Sequence, residues 1–266
     1  RDGYQHTAAV PLSVAITNGS NNVSDASKPV FADAVRFVRQ SDLSVRSTPV
    51  MRSVRVQVSP GNFADRDVVV VAMENGRIYC MDAHGNRNTG NPPQIYWTYP
   101  TENPTGDPNR AIGFDGVDGI AEMPSGFDLG SAMVQTINGV DYLYIGSVNG
   151  KVYCIEMSGR GDGTAVRRWT YPDDYDPTAP TLPMVRGLEK IVGSVAFATA
   201  AGNVPIVIVP TTEGRLIALD ALGDAAQRRT TPVWAYPDFT STPLGPILQT
   251  PTVSFGRAYF GAAQTQ

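Results

Sequence analysis

Trp97-Thr98-Tyr99-Pro100, Trp169-Thr170-Tyr171-Pro172 and Trp234-Ala235-Tyr236-Pro237 contain every tryptophan of the chain. A motif that absorbs all the tryptophans marks an internal repeat, and a repeat decides the architecture before any single residue's chemistry is considered. Working back from each Trp, the same pieces recur. A β-branched or aromatic run comes first: Val68 to Val71, Tyr142 to Ile145, and Ile206 to Val209. A tight turn follows at Asn75-Gly76, Asn149-Gly150 and Glu213-Gly214. Asn-Gly is a strong hairpin signal, because a type I′ turn needs positive φ at both central residues. A second run then starts on a basic residue, at Arg77, Lys151 and Arg215. Gly76, Gly150 and Gly214 precede their tryptophans by 21, 19 and 20 residues, so this half of the unit has nearly fixed length.

Further upstream a strand opened by a small polar residue is expected at Ser47 to Val50, Ser131 to Val134 and Ser194 to Phe197, and again at Thr250 to Val253. Each unit reads as a four-stranded antiparallel meander. One such meander cannot cover both its faces, whereas several packed around an axis cover one another, which is the β-propeller arrangement. The expected fold is therefore all-β, a propeller of three full units and a split or partial fourth. Trp97, Trp169 and Trp234 are expected to wedge neighbouring blades, since one indole buries roughly 150–250 Å². Residues 47–266 hold the repeats, and residues 1–46 form an N-terminal segment available to complete a blade. The last unit stops after Ala258-Tyr259-Phe260-Gly261, where a turn and two strands are due. Thr7 to Ile16 and Ala34 to Gln40 could supply them and close a four-blade ring. The abrupt ending instead favours a piece of a larger ring of six to eight blades.

Composition narrows the function classes. A net charge of −4 argues against nucleic acid or an anionic membrane surface as main partner. No run approaches the roughly 18 apolar residues that span a bilayer. Cys80 and Cys154 occupy one repeat position, where the third unit has Ala218, and read as small buried residues of the third strand. Phe31 to Arg39 is the only stretch with helical periodicity.

The stretch from Ile145 to Tyr171, with its Gly-Ser-x-Asn-Gly-Lys-Val-Tyr-x-Ile run ahead of Trp-x-Tyr, resembles the PQQ-like (pyrroloquinoline-quinone-type) propeller repeat. Asp82-Ala83-x-Gly85 and Asp220-Ala221-x-Gly223 match that repeat's Asp-Ala turn, while the second unit departs with Glu156-Met157-Ser158-Gly159. The resemblance covers about residues 45–260. It implies a family that includes quinoprotein dehydrogenases and non-enzymatic scaffolds, among them the outer-membrane assembly lipoprotein. The dehydrogenases carry an adjacent Cys-Cys pair and a calcium held by Glu, Asn and Asp beside the quinone; this chain has no adjacent cysteines. The expectation is a non-enzymatic scaffold without cofactor, offering loops to protein partners in a larger assembly of the cell envelope, periplasmic or extracellular. The alternative is a fragment of a PQQ-dependent dehydrogenase.

Candidate sites lie in the unequal loops. Asp115-Gly116-Val117-Asp118-Gly119, inside the long Pro100 to Gly130 insertion, is the most suggestive place for Ca²⁺, with Asp115 and Asp118 as ligands. It lacks the alternating ligand spacing of an EF-hand loop, and a solvated acidic loop is the plainer reading. Asp173-Asp174-Tyr175-Asp176 reads as an exposed loop, because like charges so close repel. Arg160-Gly161-Asp162-Gly163 falls where the repeat demands a turn. His6 and His84, the two histidines, have no spacing typical of a zinc site.

Overall fold

The computed structural model describes residues 45–73, 77–85, 93–102, 111–112, 130–148, 150–172 and 188–263. Phe31 to Arg39, Thr7 to Ile16, Ala34 to Gln40, Gly76, Asp115, Asp118 and Asp173 to Asp176 lie outside them.

Blade 1 consists of β1 (Val50–Ser59), β2 (Asn62–Ala72), β3 (Ile78–Asp82) and β4 (Ile95–Tyr99), with a small pair formed by β5 (Thr101–Glu102) and β6 (Ala111–Ile112) following it. Blade 2 consists of β7 (Met133–Ile137), β8 (Val140–Gly146), β9 (Val152–Glu156) and, beyond the two-residue β10 (Gly163–Thr164), β11 (Val166–Tyr171). Blade 3 consists of β12 (Ala196–Ala200), β13 (Val204–Pro210), β14 (Leu216–Asp220) and β15 (Pro232–Tyr236). A hairpin of β16 (Thr252–Ser254) and β17 (Arg257–Tyr259) begins a fourth unit. Strand neighbours follow chain order and pair antiparallel, so each blade is the expected meander.

The blades cover one another, as a propeller requires. One core joins blade 1 to blade 2, with Val54, Val68, Cys80 and Trp97 meeting Leu143, Ile145, Tyr153 and Met157. A second joins Tyr144, Cys154 and Trp169 of blade 2 to Val207, Val209, Ile217 and Leu219 of blade 3. A third joins Ile206, Ile208 and Ala218 of blade 3 to Val253 and Phe260 at the fourth unit. With both faces covered, β8 reads as an almost unbroken buried run from Tyr142 to Gly146 rather than an alternating one. β10 ties the blades further by pairing in parallel with β4, Gly163 opposite Trp97.

Two expectations change. The first strands start two or three residues after the small polar residue: Ser131 precedes β7 by two positions, and Ser194 precedes β12 likewise. Those serines instead link the blades. Ser131 Oγ accepts the Thr48 N–H at 3.2 Å, and Ser194 Oγ accepts the Ser131 N–H at 2.8 Å. Asn75-Gly76 lies outside the described residues, and the turns ahead of Lys151 and Arg215 are longer than the two-residue turn expected. The Gly150 N–H donates to Ser147 O and the Ser147 N–H to Lys151 O, with the same pair at Gly214, Thr211 and Arg215. Gly150 and Gly214 have positive φ, +78° and +95°, whereas Glu213 does not. This is the longer loop that ends on a left-handed glycine. True two-residue turns occur one hairpin earlier, at Asn138-Gly139 (φ 52° and 79°) and Phe255-Gly256 (φ 48° and 70°).

Among the described residues, helix is confined to one 3₁₀ turn at Ala201–Asn203, and no helix is long and apolar enough to cross a membrane.

Candidate functional site

The repeated residues are used up in holding blades together. Trp97 and Trp169 are fully buried; their indole N–H groups donate to Met157 O at 2.9 Å and Ala221 O at 2.8 Å, each in the next blade. In each blade the strand register slips immediately before the Trp. Trp97, Trp169 and Trp234 thereby come directly opposite Cys80, Cys154 and Ala218, with Tyr96, Arg168 and Val233 as the extra residues. Such a bulge re-aims a side chain, and the small residue opposite leaves room for the indole. The Cys/Cys/Ala position is thus the seat of the tryptophan. Burial pushes the Cys80 and Cys154 thiols well above the ordinary range. Trp234 differs from the other two: it is only half-buried, and no described carbonyl accepts its N–H.

The Asp-Ala-x-Gly turns are structural as well. Asp82 Oδ1 accepts the N–H groups of His84 and Gly85 at 2.8 and 3.0 Å, and Asp220 Oδ1 those of Leu222 and Gly223 at 2.9 and 3.2 Å. Gly159 and Gly223 lie against the next-door indoles: a Cβ there would come within 2.7 Å of Trp97 Cδ1 and 2.8 Å of Trp169 Cδ1. Arg160 turns onto its own loop, donating to Ala165 O at 2.8 Å, and the Thr164 hydroxyl, donating to Asp162, holds that carboxyl below its usual value. The Arg-Gly-Asp tripeptide is a turn.

Part of each loop that leads from a Trp strand to the next blade is described. Residues 237–250 are the connection of this kind that is described from end to end. The described part repeats a feature the sequence reading missed. Leu188 N–H and Ile191 N–H donate to Gly150 O and Ser147 O, and Leu244 N–H and Ile247 N–H donate to Gly214 O and Thr211 O. The Leu-x-x-Ile spacing was visible in the sequence, but two copies inside variable loops carry little signal without the bonds. Gly150 and Gly214 are where these loops cross the turn. A Cβ on Gly214 would collide with the Leu244 carbonyl oxygen.

Residues 237–250 are built on Arg215. Its guanidinium is buried, donates to Pro237 O at 3.1 Å, to Asp238 O and to Ser241 O at 2.8 Å, and lies 5.9 Å from the Phe239 ring. The Thr240 hydroxyl and the Thr240 and Ser241 N–H groups bind Asp238 and hold its carboxyl below the usual range. On this frame Phe239, Leu244 and Leu248 are exposed by 52, 37 and 50%. Among the described residues no group of three or more His, Cys, Asp or Glu side chains is placed to hold a metal.

No protein-family model and no curated protein matches the chain. Solved structures with similar folds include BamB from Moraxella catarrhalis, at 16% identity and a TM-score of 0.43, covering 86% of this chain and 50% of that one. A europium-containing methanol dehydrogenase matches at 16% and 0.36, over 76% of this chain and 36% of that one. The Vanderwaltozyma polyspora Nup133 β-propeller domain matches at 12% and 0.31, over 76% and 59%. The chain spans half the length of the BamB structure it resembles.

Proposed function

We propose that this protein is a non-enzymatic propeller of the PQQ-like type that binds a protein partner through its blade-connecting loops, as part of a larger assembly in the cell envelope. The observation that carries the reading is the loop 237–250, where Phe239, Leu244 and Leu248 face solvent on a frame fixed by the buried Arg215. Exposed apolar patches, and loops positioned by a rigid scaffold, are where binding surfaces concentrate. The repeat resemblance supports the scaffold, and the net charge of −4 supports a protein rather than a nucleic acid.

The test compares wild type with a Phe239→Ser, Leu244→Ser, Leu248→Ser variant in cross-linking pull-downs from the native extract. The expected result is a reproducible partner captured by wild type and lost by the variant at unchanged Tm. Equal capture by both overturns the assignment to this loop. Quinone absorbance and dye-linked alcohol oxidation after addition of PQQ and Ca²⁺ would overturn the non-catalytic reading in favour of a dehydrogenase fragment. Asp115 and Asp118 are the place to look for Ca²⁺ by calorimetric titration.

A further inference from the structure

The β1–β2 hairpin is longer than its counterparts. Beyond the residue opposite the end of the third strand, β2 carries six further residues (Asn62 to Asp67), whereas β8 carries two (Val140, Asp141) and β13 two (Val204, Pro205). Four extra residues add roughly 13 Å of strand. The apolar alternation runs on into the extension: Val54 and Val56 are buried, and Val58 packs against the core shared with blade 2. A register shift between Gln57 and Ser59 then bends the tip.

The bent tip falls on the blade 2 turn from Met157 to Thr164. Gln57 makes the grip. Its N–H donates to Ser158 O at 2.8 Å and its Nε2 to Gly159 O at 3.0 Å, while its Oε1 accepts the Gly61 N–H at 2.9 Å. Gly161, at φ +76°, lies so close to Ser59 and Pro60 that a Cβ there would collide with their backbone. The same turn then runs along β4 as β10, and its Met157 carbonyl accepts the Trp97 indole.

The next junction repeats the indole bond without the strap. Blade 2's own hairpin ends at Asn138-Gly139, and no described residue comes within 4 Å of a Cβ built on Gly139. The corresponding turn of blade 3 closes on itself, Asp224 and Arg229 exchanging backbone bonds of 2.7 and 3.2 Å. Among the described residues, blade 2 reaches that turn with side chains: Trp169 and Tyr144 donate to Ala221 O, and Arg168 to Leu222 O.

We propose that the β1–β2 extension is a strap, with Gln57 as its pin, that makes blades 1 and 2 open as one unit, while the junction of blades 2 and 3 opens first. Opening the first junction breaks backbone pairing on two sides of one turn, at Gln57 and along β10. Opening the second breaks side-chain donors alone. Local opening follows the weaker set of ties.

Residue-resolved hydrogen exchange on the full chain tests this. Met157 and Ala221 are repeat equivalents, and each amide donates within its own blade at 2.9 Å, to Asp141 O and Pro205 O. In the wild type, the Met157 amide should be protected about tenfold or more beyond that of Ala221. Gln57→Ala should speed exchange at Met157 and Arg160 and leave Ala221 unchanged, which separates the strap from any effect of distance along the chain. Gln57→Met, which keeps the side-chain length without the donor, should do the same and serves where Gln57→Ala does not fold. Equal protection of Met157 and Ala221 in the wild type overturns the proposal. So does a Gln57 variant that leaves Met157 and Arg160 unchanged, or one that speeds Ala221 by as much.

Discussion

At the residue scale, the pairing of Trp with Cys or Ala explains what neither residue explains alone. The sequence shows the tryptophans and shows the small residue at a fixed repeat position, but their opposition depends on a one-residue bulge that leaves no mark of its own in composition. Trp97→Ala should destabilise the fold by about 3–5 kcal/mol, read from chemical unfolding. Trp97→Phe should cost less, about 1–3 kcal/mol, because the ring stays while the Met157 carbonyl loses its donor. The cysteines give a second check. Neither thiol should react with iodoacetamide at pH 8 in the native protein, and both should react in denaturant, counted by mass. Their folded pKa values lie above the unfolded ones. The associated stability is therefore complete below about pH 8.5 and is lost progressively above it, as the unfolded chain ionises and the folded one does not. Cys154→Ala should flatten part of that alkaline fall.

At the element scale, the strands were legible because β-branched and aromatic runs alternate with turn residues, and β3, β9 and β14 lie within a residue of where the sequence puts them. Turn type was not. Asn-Gly stands both in a two-residue turn at Asn138-Gly139 and in a longer loop ahead of Lys151, and only the flanking register separates them. The two settings predict different costs for the same substitution. Gly139→Ala has open space around it and meets only the backbone penalty of φ +79°, about 1–2 kcal/mol. Gly214→Ala meets that penalty and the Leu244 carbonyl, so the loop must move. Its loss should exceed that of Gly139→Ala by at least about 2 kcal/mol in thermal or urea unfolding. Equal losses would mean that the 237–250 loop does not rest on this turn.

At the scale of the whole molecule, blade 2 is the one that lies between two others among the described residues. Leu143 to Ile145 and Val152 to Ile155 are fully buried. Their amides should be the slowest to exchange and should open only with global unfolding, whereas the β1–β2 tip at Pro60-Gly61 should exchange early. If the slowest amides fell in blade 1 or blade 3 instead, the mutual covering of neighbouring blades would not be the main source of stability. The candidate surface belongs to this scale too. That the repeated residues have a structural use was legible; which loop residues face outward was not. Phe239, Leu244 and Leu248 are ordinary apolar residues until the buried Arg215 frame turns them to solvent.

The sequence by itself determined the repeat, the strands and the propeller class, because hydrophobic periodicity, turn residues and one large aromatic per unit are local properties that recur at fixed spacing. Tertiary structure decided the bulge that seats each Trp opposite a small side chain, the loops that cross Gly150 and Gly214, and the exposed or buried state of each loop residue. Those depend on which carbonyl or ring arrives from the neighbouring blade, and a chain read one unit at a time does not contain that neighbour.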